Sequence, residues 1–228
     1  MSLLLLIETA TTSCSVALVQ QEQVLALKEL NERNIHAEVI TVFIEELFKT
    51  ASKTYQDLDA VAVSSGPGSY TGLRIGVSTA KGLCYALDKP LIGIETMQAM
   101  ADGMAAKLTD DGSTLLCPMI DARRMEVYTA LFDVKGNRTR PTSAEIIDEH
   151  SFADILQSQE VLFFGDGAEK CKELLGRYPN ARFDTGFINS AVHLAAAAQQ
   201  KLNALAFEDV AYFEPFYLKD FIAGKKVL

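Results

Sequence analysis

Residues able to do chemistry collect in a few turns rich in glycine, hydroxyls and carboxylates. The longest is Ser64-Ser65-Gly66-Pro67-Gly68-Ser69-Tyr70-Thr71-Gly72-Leu73-Arg74-Ile75-Gly76. It follows the apolar run 59–63, which reads as a buried strand, and leads into residues 77–87, whose apolar spacing is helical. Ser69 and Thr71 are both suited to cap that helix. A strand, a glycine turn and a helix N-terminus offer free N–H groups and a positive dipole end, the ingredients of an anion site. The same glycines also suit a sharp turn and close packing. The spacing is neither a Walker A loop nor the dinucleotide fingerprint. A second turn, Thr9-Ala10-Thr11-Thr12-Ser13, could hold a phosphate through its N–H and hydroxyl groups, or serve simple turn chemistry.

Other chemistries lack their residues. The three histidines, His36, His150 and His193, are not paired at helical spacing, and the four cysteines, Cys14, Cys84, Cys117 and Cys171, form no Cys-x-x-Cys. A His/Cys metal site is therefore not expected, nor is a Ser-His-Asp or Cys-His nucleophile set. The cysteines read as small buried hydrophobes in a reducing compartment. His36 reads as a helix-end hydrogen bonder. Asp121 and Asp166 could stand near a cation or serve as turn and cap residues. A net charge of −9 argues against unaided binding of nucleic acid, because neutralising phosphates requires Lys and Arg. The apolar start, Leu3-Leu4-Leu5-Leu6-Ile7, has no basic flank and is followed by Glu8, so it reads as a buried strand and not as a signal or membrane span. A cytoplasmic protein is expected.

The elements that position these residues read in order as strands over 3–8, 14–20 and 24–30, a helix over 36–52, a strand over 59–63, the motif helix, a strand over 90–95 and a helix over 97–108 capped by Thr96. Thr109-Asp110-Asp111-Gly112-Ser113 is the clearest linker, dividing the chain into 1–108 and 109–228. The second half then echoes the first. Strands are expected over 115–120, 126–133, 143–147 and 161–164, the last running into Gly165-Asp166-Gly167-Ala168. Helices are expected over 151–157, capped by Ser151, 169–175 and 190–203, with an edge strand over 182–184. The aromatic tail 212–219 packs down. A duplicated α/β unit with a cleft between two lobes is the expected architecture.

Two helices are greasier than one sheet requires. Over 36–52 the apolar residues, including Val39, Phe43 and Leu47, cover more than the stripe of somewhat over ~100° that a surface helix shows. In the motif helix Leu73, Gly76, Val77, Ala80, Leu83, Cys84 and Leu87 share a core face. Ile75, Ser78, Thr79, Gly82 and Ala86 form a face of small side chains, and Arg74, Lys81 and Tyr85 a polar wedge. A protein–protein interface made by both helices accounts for this, with Val39, Phe43, Leu47, Ile75, Thr79 and Gly82 as its candidates; full burial within one chain is the alternative.

The motif 65–76 resembles the signature of the bacterial TsaB (YeaZ) family. Ile7-Glu8-Thr9-Ala10, His36-Ala37-Glu38, Ile120-Asp121-Ala122-Arg123 and Gly165-Asp166-Gly167-Ala168 fall where that family has them, so the resemblance covers nearly the whole chain. It implies an actin-like ATPase fold (the ASKHA, ribonuclease H-like class) and a role in making N6-threonylcarbamoyladenosine at position 37 of tRNA. It implies a non-catalytic subunit, homodimeric alone, that pairs through N-terminal-lobe helices with the catalytic TsaD subunit and is joined by the TsaE ATPase. ATP and metal belong to those partners, and tRNA is met only through the complex. The helix over 97–104 lacks the His-x-x-x-His metal pair of the catalytic paralogue. Thr9, Thr12, Gly165 and Gly167 are the positions of vestigial phosphate loops, since Glu8 stands where an actin-like site commonly begins with Asp. A metallopeptidase and a small-molecule kinase of the same fold are the alternatives; tightly bound zinc or iron would mark the first and ATP binding by the isolated chain the second.

Overall fold

An apolar side chain at every position of Leu3–Ile7 is stable only where helices cover both faces of a sheet. The run becomes the central strand β1 (Leu3–Glu8), buried throughout. The computed structural model describes residues 2–21, 23–109 and 112–219. After β1 come β2 (Ser13–Gln20), β3 (Gln23–Asn31), α1 (His36–Ala51), β4 (Ala60–Gly66), α2 (Tyr70–Leu87), β5 (Leu91–Glu95) and α3 (Thr96–Ala105). The sheet order is β3-β2-β1-β4-β5; the first three strands form an antiparallel meander, and β4 and β5 run parallel to β1. Leu3, Leu5 and Ile7 pack with Ile44 and Leu47 of α1 and Val77 and Ala80 of α2. Leu4 and Leu6 point to the other face, toward Ala99 of α3.

The second half contains β6 (Leu115–Asp121), β7 (Glu126–Phe132), β8 (Arg138–Ile146), α4 (Ala153–Leu156), β9 (Val161–Phe164), α5 (Ala168–Leu175), β10 (Ala181–Asp184) and α6 (Ala195–Asn203). Its sheet order, β10-β9-β6-β7-β8, repeats that of the first half strand for strand, directions included. The echo heard in sequence is a duplicated topology. Helix α3 serves both sheets: Ala99 packs on the first, while Met97, Met100 and Met104 pack with Leu116 and Ile120 of the second. All four cysteines are buried free thiols. Among the described residues no helix is long and apolar enough to cross a membrane.

Four expectations change. Thr96 is the first residue of α3 and not its cap; its hydroxyl accepts the Gly66 N–H at 3.1 Å, and the helix stops at Ala105. The strand expected over 143–147 starts at Arg138, because Arg138 and Arg140 on this edge strand pair with Glu95 and Asp154 and hide the alternation. The helix capped by Ser151 shrinks to α4, and Ser151 instead accepts the Asp148 N–H at 3.0 Å. Finally, the chain beyond residue 190, assigned by the 108/109 division to the second unit, returns to the first sheet. Ala191, Leu194 and Ala198 pack with Leu4 and Leu6, and the Phe213 ring covers Gly93 of β5. An apolar helix face specifies that it must be covered, not by which sheet. Asp110 and Asp111 of the expected linker, Glu22 of the first hairpin turn and the polar end 220–228 lie outside the described residues.

Candidate functional site

Glu8 closes β1 at 1% exposure. One carboxyl oxygen accepts the Ala10 N–H at 2.6 Å and the Ser64 hydroxyl at 3.0 Å. Burial outweighs these bonds and pushes the carboxyl up to about 7. The glycine turn after β4 lies directly on this corner. A Cβ at Gly68 would collide with the Ala10 carbonyl, one at Gly72 with the Thr9 carbonyl, and one at Gly76 with the Thr9 hydroxyl. The Ser69 N–H donates to the Ala10 carbonyl at 2.7 Å, and the Ser69 hydroxyl caps the helix by accepting the Gly72 N–H at 3.2 Å. The first turn of α2 is thus packed with the chain's own atoms. Thr9 and Thr12 do not converge. The Thr9 hydroxyl is buried under α2 without a partner among the described residues, whereas Thr12 donates to Asn31 at 2.7 Å on the exposed side.

The corresponding corner of the second lobe is open. Asp121 ends β6 exposed, accepts the Arg123 N–H at 2.8 Å and pairs with Lys170, which also donates to the Glu126 carbonyl at 2.6 Å. Asp166 accepts the Asp121 N–H at 3.0 Å. Gly165, at φ +99°, and Gly167 bring the turn onto β6: a Cβ would stand 2.5 Å from the Met119 carbonyl oxygen in the first case and 2.9 Å from the Ile120 carbonyl carbon in the second. Both aspartates act in this structure as turn residues.

On the outer side, α1 and α2 lie against each other. Val39, Phe43, Ile75 and Thr79 are half-buried, and the Thr79 hydroxyl donates back to the Ile75 carbonyl at 2.8 Å. Leu47 is a correction: it is fully buried beneath β1 and β2 and cannot face a partner. Helical spacing had placed it on the apolar arc, but the arc is wider than the face that stays outside. Val42, missed among the candidates, is 50% exposed. Ser78, Gly82 and Ala86 are exposed, and among the described residues no atom beyond its own stretch of helix lies within 4 Å of where a Gly82 Cβ would be. Two of the three histidines tie elements together. His36 donates from Nε2 to the Ser13 carbonyl at 3.2 Å. His193 accepts the Ser190 N–H at 3.3 Å on Nδ1 and stacks on Phe187; burial, aided by Lys107, pushes it down to about 4. Among the described residues no three His, Cys, Asp or Glu side chains are grouped to hold a metal ion.

A duplicated five-stranded unit, with a glycine turn at the end of each fourth strand and a carboxylate at the end of each first, defines a protein of the actin-like ATPase fold class. A YeaZ-like structure from Pseudomonas aeruginosa superposes with a TM-score of 0.81 over 96% of this chain and all of that one, at 23% identity. The family model for TsaD, tRNA N6-adenosine threonylcarbamoyltransferase, matches residues 24–226. The tRNA threonylcarbamoyladenosine biosynthesis protein TsaB of Escherichia coli is 30% identical over 98% of this chain and 97% of its own length. TsaB of Bacillus subtilis is 29% identical over 82% and 80%. The chain belongs to the TsaB (YeaZ) family.

Proposed function

We propose that this chain is a non-catalytic dimerisation subunit in tRNA threonylcarbamoyladenosine biosynthesis, acting at position 37 of tRNA by pairing with and activating a TsaD-type catalytic subunit. The chain is homodimeric alone, a TsaE-type ATPase joins the pair, and tRNA is met only in the complex, in the cytoplasm. ATP and metal sit on the partners. The packed first turn of α2 supports this last point, because a phosphate would have to displace Ala10 and Thr9.

The observation that carries the reading is Gly82. A glycine inside a helix costs about 1 kcal/mol relative to alanine. Gly72 and Gly76 are required by Thr9, but nothing among the described residues requires Gly82. A second helix backbone approaching the small-residue face of α2 supplies the reason. Gly82→Leu and Val42→Glu test it: a Gly82 side chain would meet no described neighbour and Val42 is 50% exposed, so folding should stay intact. Light scattering of the chain alone and mixed with the TsaD protein of the same organism, with tRNA modification assayed in parallel, is expected to lose both pairing and activity. Undiminished pairing in both variants would place the interface elsewhere. A chain that ignores TsaD and turns over ATP or peptide would overturn the reading.

A further inference from the structure

The polar wedge of α2 has a partner that neither the core nor the docking face explains. Residues 208–219 leave α6 and run back along the outside of the first lobe. The Glu208 N–H donates to the Leu91 carbonyl at 2.9 Å, and Phe213 packs on Gly93. Lys81 then donates to the carbonyls of Ala211 and Phe213, at 3.1 and 2.9 Å. Further on, the Phe216 N–H donates to the Ser65 carbonyl at 2.7 Å, and the Phe216 carbonyl lies 2.6 Å from where a Gly66 Cβ would stand. The Tyr217 hydroxyl accepts Arg74 Nε at 3.2 Å, its ring lies 5.0 Å from the Tyr70 ring, and the Arg74 guanidinium sits 4.3 Å over Tyr70. Lys219 then reaches the second lobe and pairs with Glu126 at 2.6 Å.

Tyr70, Arg74 and Lys81 form one stripe on α2, so the segment runs antiparallel to that helix and grips it at both ends. Two residues of extended chain span at most ~7 Å. Tyr217 on the first lobe therefore cannot move far without pulling Lys219 off the second. The grips at Arg74 and Lys219 lie at the exposed surface, where single polar contacts are weak and exchange readily.

We propose that residues 208–219 are a strap that couples α2 to the β6–β7 turn around Glu126, so that docking on α1 and α2 is transmitted to the second lobe. The transmission rests on the docking reading above; the coupling within the chain does not. Hydrogen exchange of the full chain tests them separately. In Tyr217→Ala, amides of residues 122–127 should exchange about threefold faster or more, although the Tyr217 ring and hydroxyl meet Tyr70 and Arg74 of the first lobe. Tyr217→Phe, which keeps the ring and loses the hydroxyl, should fall between. Unchanged exchange at 122–127 in Tyr217→Ala overturns the strap. Addition of the TsaD protein should slow exchange in α2 and at 122–127 of the natural chain, but only in α2 of Tyr217→Ala. Equal slowing at 122–127 in the variant shows another route between the lobes and also overturns the strap. If α1 and α2 do not respond to TsaD at all, the docking reading fails, and the partner-free comparison still decides the strap.

Discussion

At the ends of β1 and β6 the fold sets a carboxylate in the same backbone frame and gives it opposite surroundings. Glu8 and Asp121 each accept the N–H two residues on, from Ala10 and Arg123. Each lies beneath a glycine turn that follows the fourth strand of its lobe. In the first lobe three glycines let α2 down onto Thr9 and Ala10, Glu8 is buried, and Ser64 and the Thr9 N–H join Ala10 as its partners. In the second lobe the corner stays wet, and Lys170 faces Asp121. A duplicated topology therefore does not duplicate a site. Depth of packing decides whether a carboxyl is pushed toward its neutral form or stands in an ion pair.

The contrast breaks most directly at the glycines. Gly72→Ala places a methyl against a backbone oxygen that cannot rotate away, and should cost about 3 kcal/mol in denaturant unfolding. Gly165→Ala meets both the Met119 carbonyl and a left-handed backbone angle and should cost at least as much. Tolerance of Gly72→Ala would mean that the first corner is not closed.

Glu8 gives the next largest effect. Its folded value of about 7 lies above the ordinary carboxylate value of 4.5. The folded chain thus holds a proton that the unfolded chain has released between these limits, and the contribution of Glu8 to stability falls as pH rises from about 4.5 to 7, by about 3 kcal/mol in all. His193 works the other way. Held down at about 4 against 6.5, it loses stability as pH falls through that window. Glu8→Gln should abolish the first slope and leave unfolding free energy rising with pH between about 4 and 6.5. An unchanged pH profile would show that the Glu8 corner is hydrated.

Smaller effects sharpen the comparison. Gly82→Ala should stabilise the isolated chain by about 1 kcal/mol, unlike Gly72→Ala on the same helix, while weakening pairing in light scattering. Lys170→Ala, on the solvent-exposed second corner, should cost no more than about 1 kcal/mol, and added salt should mask part of it.

The uninterrupted apolar run 3–7 required a strand covered on both faces, and the two strand–glycine–helix stretches marked the ends of β4 and β9. The glycine spacing of 66–76 carried the family. The core face of α2 was legible too, because helical period alone places Leu73, Gly76, Val77, Ala80 and Cys84 together. Periodicity is local, however, and several decisions here are not. That Thr9 and Ala10 fill the turn, that Leu47 lies under the sheet while Val42 lies outside, and that α6 covers the first sheet all depend on residues far apart in sequence. The strap depends on them as well: Tyr217 and Arg74 are 143 residues apart and meet only because the chain folds back across its own first lobe. Local pattern determined which elements form and which faces must be covered; long-range packing alone decided what covers them, and so which polar groups stay dry.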